Sequence, residues 1–361
     1  MAAYLDIISF TEAGETLGRR VSHALEGSGL EVSQASGRRS AAGTMTHCPA
    51  GVWAEAHFQK GHVLLFIGAA GIAVRAIAPL VRSKTTDPAV IVMDEKGCFV
   101  IPILSGHIGE ANDWAKRLAA LTGGQAALTT ATDVNGLMAV DAVAARHHML
   151  ITDMKAAARF SAALLKERRA RFIIPERFRP YLIPEDVPPY LTVVSGEAET
   201  AAAPTDCLVT PALTSDGREA ETGVSDGLVL IPRCLVLGVG CRRGKDSGEL
   251  IAFAEACLRD AGLDSRAAAR VVSVDLKKDE EAIQALSRAL DVPYETYPAE
   301  VLQAVPGEFR GSDFVKKTTG VDNICERAAV AAGASALLLG KTARNGMTLA
   351  VGIATQRIDC R

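Results

Sequence analysis

Three polar turns, each seated where an apolar run ends, constrain this chain more than any other feature, and all three lie between Gly61 and Gly136. The run His62 to Ile67 breaks at Gly68-Ala69-Ala70-Gly71 and resumes with helical spacing through Arg75. Phe99 to Leu104 breaks at Ser105-Gly106-His107, ahead of a helix reaching Leu121. Ala126 to Thr129 breaks at Thr130-Ala131-Thr132-Asp133-Val134-Asn135-Gly136, and Lys84-Thr85-Thr86-Asp87-Pro88 stands between the first turn and the second. Short apolar runs bounded by Gly, Ser and Asp read as strands. In open α/β sheets ligands bind beyond the carboxyl ends of strands, where small polar turn residues let a ligand reach the backbone. The segment is expected to form one functional sheet edge.

The flanking pattern extends the same architecture. Tyr4 to Phe10 reads as a first strand, Leu17, Val21 and Leu25 have helical spacing, and Leu137 to Ala145 reads as a further helix. Beyond Arg146 the alternation loosens, and Pro175, Pro180, Pro184, Pro188, Pro189, Pro204 and Pro211 punctuate the chain there. Regularity returns with the strand Cys234 to Val239, the loop Gly238 to Lys245, and a helix from Ser247, a residue type favoured as an N-cap. Arg270 to Leu276 reads as a strand ending at Lys277, and Ser312 is expected to cap a short helix. Asn345-Gly346 is a tight-turn pair between two closing strands. At 361 residues the chain exceeds one typical core. The expected class is α/β: N- and C-terminal α/β sandwich domains with largely parallel sheets (1–145 and 231–361), joined by a smaller irregular, Pro-rich middle region (146–230).

Composition excludes several functions. Aromatics are only 5% of the chain and the formal net charge is −3, whereas a nucleic-acid binder needs stacking rings and a basic face. Met1 to Phe10 carries Asp6 and no basic stretch, so it reads as a strand and not as a signal peptide. The uncharged run Ala328 to Gly340 is too short to cross a bilayer. A cytoplasmic protein without membrane or nucleic-acid partners is expected. The eight cysteines include no CxxC pair, and the histidines lack ligand spacing, so no protein-bound metal is expected.

The individual motifs each have a commoner, structural use. Gly238-Val239-Gly240-Cys241-Arg242-Arg243-Gly244-Lys245 lacks the glycine spacing of a phosphate-binding P-loop, and Asp246 replaces its hydroxyl residue. What remains is a glycine-rich turn with three cations at a helix start, suited either to a carboxylate or simply to a tight turn. Gly68 to Gly71 misses the dinucleotide fingerprint and serves equally as close helix–strand packing. His107 titrates near neutrality and can act as acid, base or ligand, although a lone histidine is more often structural. Glu110 stands where a carboxylate complements the positive end of a helix, and Asp133 suits a base or an Asx-turn.

Taken together, longer strings are similar to one family. Residues 74–97, 100–119 (VIPILSGHIGEANDWAKRLA) and 129–136 (TTATDVNG) resemble the N-terminal domain of the cobalt-precorrin-5A hydrolases of anaerobic cobalamin biosynthesis. Residues 236–251 (VLGVGCRRGKDSGELI), 273–287, 297–302 and 312–333 resemble its C-terminal domain, in the same order, while the Pro-rich middle supports little. The resemblance implies a cobalt-containing corrinoid substrate whose ring-A acetate is closed as a lactone. Water opens the lactone, and the extruded meso carbon leaves with its methyl group as acetaldehyde, giving cobalt-precorrin-5B. No cofactor is implied, because the macrocycle and its cobalt, carried by the substrate, accept the released electron pair. Such chemistry needs an acid–base group and donors for an oxyanion.

On this reading His107, Asp133 and Glu110 are the catalytic candidates, with Asp133 orienting water or the histidine. Gly68, Gly71, Arg75, Lys84, Thr85, Thr86, Asp87, Ser105, Gly106, Thr130, Thr132, Asn135, Gly240, Arg242, Arg243, Lys277 and Lys316 are the substrate-binding candidates, the cations meeting the substrate's carboxylates. A carrier that shields a corrin intermediate without catalysis, and a nucleotide-dependent enzyme, stay open beside the hydrolase. A homodimer, or transient contact with neighbouring pathway enzymes, is compatible with the resemblance.

Overall fold

A computed structural model describes residues 4–38, 47–83, 86–197, 200–213, 227–309 and 322–360. Two compact units divide the chain, Met1–Ala142 and Val143–Arg361.

The first unit is built on a six-stranded sheet. Its elements run β1 (Tyr4–Ser9), α1 (Glu12–Ala24), β2 (Glu31–Ser36), α2 (Ala50–His57), β3 (His62–Ile67), α3 (Ala70–Ile77), β4 (Ala89–Met93), β5 (Phe99–Leu104), α4 (Ala111–Thr122), β6 (Gln125–Ala126), α5 (Ala131–Val134) and the first residues of α6 (Val140–Arg146), within which the division falls. Strand order is β2-β1-β3-β4-β5-β6. All neighbours are parallel except β4 and β5, whose register pairs Val90 with Leu104 and Met93 with Val100. Both faces are covered, which is why β3 and β4 are nearly uninterrupted apolar runs. Leu5, Ile7, Leu65 and Ile91 pack toward α1 and α4 on one face; Ile8, Leu64, Phe66 and Val90 pack toward α2 and α3 on the other. Helix α1 starts where Thr11 Oγ1 accepts from the Gly14 amide at 3.0 Å, and it buries Leu17 and Val21 at helical spacing.

The second unit contains two more sheets. The first has the order β10-β8-β11-β12-β7, from β7 (Met149–Ile151), β8 (Ala170–Ile174), β9 (Leu182–Glu185, outside this sheet), β10 (Leu191–Ser195), β11 (Asp206–Val209) and β12 (Leu228–Pro232). The stretch expected to be irregular is therefore a sheet, with α7 (Met154–Glu167) between its first two strands. Its prolines bracket strands instead of abolishing them: Pro175 follows β8, and Pro184 lies in the two-stranded pairing of β9 with β18 (Gln356–Asp359). The other sheet has the order β15-β14-β13-β17-β16, from β13 (Leu235–Cys241), β14 (Ala268–Val274), β15 (Tyr294–Tyr297), β16 (Ala334–Arg344) and β17 (Met347–Ala354). Its helices are α8 (Ser247–Asp260), α9 (Glu281–Leu290), α10 (Ala299–Ala304) and α11 (Ile324–Ala331). Asn345 and Gly346, at φ 47° and 77°, turn β16 into β17 as expected. Helix α8 is capped by Asp246, whose carboxylate accepts from the Glu249 amide at 2.8 Å, so the cap falls one residue before the expected Ser247. Among the described residues no helix is long and apolar enough to cross a membrane. Ser312 lies outside the described residues.

Candidate active site

Reversal of β5 against β4 decides which of the sequence-identified turns can meet. The Gly68 amide donates to the Met93 carbonyl, at the carboxyl end of β4. Ser105 Oγ donates to the Asp87 carbonyl at 2.9 Å, just before β4 begins. The chain from Asp87 to Met93 along β4 therefore separates the two turns by roughly 20 Å at about 3.3 Å per residue. Because β6 runs parallel to β5, the Thr130 turn shares the edge of His107. Two of the three turns form one site, and Gly68, Gly71 and Arg75 do not join it. Arg75 is exposed and donates to the Gly71 carbonyl within its own helix.

The Ser105–Glu110 loop is tightly wound. Ser105 and Glu110 both have positive φ, 57° and 66°, a costly conformation for residues with a side chain. A Cβ on Gly106 would stand 2.9 Å from the Asn112 side-chain oxygen, so glycine here leaves room for the Asn112 amide in the site. The Ser105 and Gly106 carbonyls accept from the amides of Ala111 and Asn112. The amides of Gly106 through Gly109 donate to no group among the described residues.

His107 projects from this loop into a cluster of polar side chains. Its Nε2 lies 3.0 Å from Asp133 Oδ2 and 3.3 Å from Thr132 Oγ1, and its Nδ1 lies 3.1 Å from Asp141 Oδ1. Ionised carboxylates only accept, so a ring facing one through each nitrogen is satisfied as imidazolium. The hydrogen bond that His107 donates to Asp141 does most to raise the His107 pKa; burial opposes it, and Asp133 adds to it. Asp133 Oδ2 also accepts from Thr130 Oγ1 at 2.7 Å and Asn112 Nδ2 at 2.9 Å, while Oδ1 accepts from Lys116 Nζ at 3.0 Å. Burial works to raise the Asp133 pKa, but these donors outweigh it and hold the group at about 2. Burial likewise disfavours charge on Lys116, and Asp133 overcomes it, raising that pKa. Asp133 is thus held ionised, and the two carboxylates bias His107 toward its protonated form.

Other expected residues fall into distinct groups. Asp87 is buried and accepts from the amides of Arg82 and Ser83, which makes it a loop brace. Thr86 is exposed, and Asn135 Nδ2 bonds the Ala131 carbonyl at the end of α5. Glu110 makes no side-chain hydrogen bond or ion pair among the described residues. Lys84, Thr85 and Lys316 lie outside the described residues. In the second unit Lys277 Nζ pairs with Glu280 at 2.9 Å, and Glu280 also accepts from the Gly244 amide at 2.8 Å. The glycine-rich turn therefore contains its own anion. Gly240 is buried in β13, its carbonyl accepting from Thr348 Oγ1. Arg242 and Arg243 are exposed and form no ion pair among the described residues.

Asp141, Asn112 and Lys116 were not singled out by sequence reasoning. Asn112 and Lys116, four apart on the helix after the His107 turn, carried the one readable signal, since that spacing puts both on one face. Asp141 gave none, being a carboxylate in the first turn of a short helix.

The fold and this cluster define a two-unit α/β protein with a histidine–carboxylate cluster in its first unit. A family model described as cobalamin synthesis G N-terminal matches residues 52–133, and one described as cobalamin synthesis G C-terminus matches residues 235–352. The chain is 35% identical over 293 residues to the cobalt-precorrin-5A hydrolase of Salmonella typhimurium (strain LT2), covering 81% of this chain and 82% of the relative. It is 28% identical over 299 residues to that of Priestia megaterium, covering 82% and 79%. A solved cobalamin biosynthesis protein G homologue from Sulfolobus solfataricus aligns over 97% of each chain, at 19% identity and a TM-score of 0.40. The chain belongs to the cobalt-precorrin-5A hydrolase family.

Proposed function

We propose that this protein opens the ring-A lactone of cobalt-precorrin-5A and releases acetaldehyde, leaving cobalt-precorrin-5B. The observation that carries the reading is where the family match falls. The N-terminal match, 52–133, contains His107, Asn112, Lys116, Thr130, Thr132 and Asp133, side chains joined in one hydrogen-bonded network around the His107–Asp133 pair.

Water adds to the lactone carbonyl carbon, and the acyl carbon–oxygen bond then breaks. Glu110, without a side-chain partner among the described residues, takes the proton of water, while the amides of Gly106 to Gly109 and the Thr132 hydroxyl supply donors to the tetrahedral oxyanion. Asp141 holds Nδ1, and Nε2, which faces Asp133 in the resting structure, turns its proton to the departing oxygen. The imidazole, now neutral, recovers that proton from the new hydroxyl as the carbon–carbon bond breaks. The bonding pair passes to the substrate's macrocycle and cobalt, and the two-carbon fragment leaves as acetaldehyde. No protein cofactor takes part. Arg242 and Arg243, the exposed cations of the C-terminal turn, are assigned to substrate carboxylates. A cytoplasmic location fits the reaction.

Anaerobic incubation of the purified protein with cobalt-precorrin-5A should yield one acetaldehyde per substrate consumed. Tight binding of the corrinoid by folded protein with no acetaldehyde released would replace the hydrolase with a carrier.

A further inference from the structure

A second cluster of titratable side chains lies in the first unit, and the reaction does not use it. Asp6, in β1, is 3% exposed although it stands in a strand whose neighbours Leu5, Ile7 and Ile8 are core. His57 ends α2 and His62 opens β3. The two rings approach the same carboxylate from either side: His57 Nδ1 lies 3.0 Å from Asp6 Oδ1, and His62 Nδ1 lies 2.7 Å from Asp6 Oδ2. The available ligand atoms of all three lie within 4.8 Å of one another.

We infer that Asp6, His57 and His62 bind one divalent transition-metal ion of the zinc class. Two imidazoles and a carboxylate are a donor set that zinc accepts, and magnesium or calcium, which want oxygen, do not match it. Donors of a tetrahedral zinc at about 2.0–2.1 Å stand roughly 3.3 Å apart. The observed nitrogen–oxygen spacings need open by only a few tenths of an ångström to admit the ion.

The groups behind the ligands are set as a metal site requires. Ser33 Oγ donates to Asp6 Oδ1 at 2.5 Å and fixes the carboxylate plane. Tyr4 stacks on the His62 ring at 4.5 Å and 12°, and Trp53 packs against the His57 ring at 5.2 Å. The chain between the histidines is pinned by the Gln59 amide on the His57 carbonyl and the His62 amide on the Gln59 carbonyl. The carboxylate is deep, while the histidine side chains are 28% and 17% exposed, so ions enter from the histidine side. Each Nδ1 lies within hydrogen-bonding distance of the carboxylate; an ion bound there takes the Nδ1 lone pair, and a neutral ring then carries its single proton on Nε2. Three protein ligands leave a fourth position for water. Asp6 is distant in sequence, but His57 and His62 are separated by four residues, within the usual spacing of a paired histidine ligand set, so the expectation of no protein-bound metal passed over a readable signal.

The test uses full-length, tag-free protein stripped with a chelator, and needs no corrinoid. Calorimetry with Zn²⁺ should give one ion per chain, weakening as pH falls below the histidine range. Co²⁺ should give the intense d–d absorption of a four- or five-coordinate site, and Mg²⁺ should compete with neither. His57→Gln and His62→Gln, both partly exposed and so tolerant of change, should each weaken Zn²⁺ by ~100-fold or more, beyond what loss of a group behind a ligand costs. The inference is overturned if Co²⁺ shows only its aqueous spectrum. It is equally overturned if both variants, folded by circular dichroism, bind Zn²⁺ as the parent does.

Discussion

The His107 turn and the Gly238–Lys245 turn look alike in sequence, yet the molecule finishes them differently. Each follows an apolar strand, contains glycine and precedes a helix. Around His107 the neighbouring elements bring groups of opposite sign and leave a protonated imidazole balanced between Asp133 and Asp141. At the second turn Glu280 arrives from before α9 and takes up both the Gly244 amide and Lys277, and Glu249 pairs with Lys245. At the first turn each cation is held against a carboxylate; at the second both lysines are neutralised, while Arg242 and Arg243 stay exposed and form no ion pair among the described residues. A local motif thus identifies a turn, and the residues that fold onto it determine whether any chemistry remains available.

The largest expected effect tests the His107 turn. His107→Ala should slow acetaldehyde release by ~10²–10⁴, the usual worth of an acid–base group. Removing the cation between two carboxylates also costs stability, so His107→Gln, which keeps a donor, is the companion: it should fold normally and stay slow. Normal turnover by folded His107→Gln would remove the imidazole from the reaction.

Next comes Asp141→Asn. If Asp141 holds Nδ1, its amide should slow turnover by ~10² and lower the His107 pKa, seen by NMR as a ring titration moved toward its ordinary value. Combined with His107→Gln, the losses should be less than additive. An unmoved titration would show that Asp133 alone sets the histidine.

The pH dependence of stability has opposite signs for the two partners. His107 has a raised folded pKa, so its contribution is complete below its unfolded pKa and is lost as pH rises through the folded value. Asp133 is depressed to about 2, so its contribution of about 2 kcal/mol is present above pH ~4 and lost as pH falls toward 2. Denaturant midpoints across this range should drop less steeply in Asp133→Asn than in the parent; identical slopes would mean the donors around Asp133 do not persist in solution.

The fold class was readable because β3, β4 and β13 are buried on both faces and read as continuous apolar runs. The reversal of β5 was not readable, because Phe99–Leu104 is apolar in either direction and the short Asp94–Cys98 connection carries no helix to mark a crossover. That single unread feature put Gly68 and Gly71 at the wrong edge. His107, Asp133, Thr130 and Thr132 were legible as polar residues at strand ends, whereas Asp141 acts only through tertiary placement. The prolines of the middle region misled for another reason: they mark strand ends as readily as irregular chain.

Smaller effects are expected at the second turn. Arg242→Ala and Arg243→Ala together should raise KM for the corrinoid about 10-fold with kcat unchanged, since charged contacts made equally in ground and transition states affect binding alone. Lys277→Ala should instead lower stability, because its partner Glu280 is left poorly solvated. A KM effect from Lys277 equal to that of the arginines would mean Glu280 gives way to substrate, and the lysine is not neutralised after all.

The smallest effect separates the cap that was expected from the cap that forms. Asp246 accepts from the Glu249 amide and stands next to the positive end of α8, so Asp246→Ala should cost about 1 kcal/mol in denaturant unfolding. Ser247 is the first residue inside the helix, where a hydroxyl has no orphan amide to satisfy, and Ser247→Ala should stay within about 0.5 kcal/mol. The same aspartate that excludes a P-loop by position thereby gains a structural explanation: its carboxylate fills the helix start that a phosphate would need. If Asp246→Ala were neutral and gained affinity for inorganic phosphate, the turn would be a masked anion site, and the contrast with the His107 turn would shrink to a single side chain.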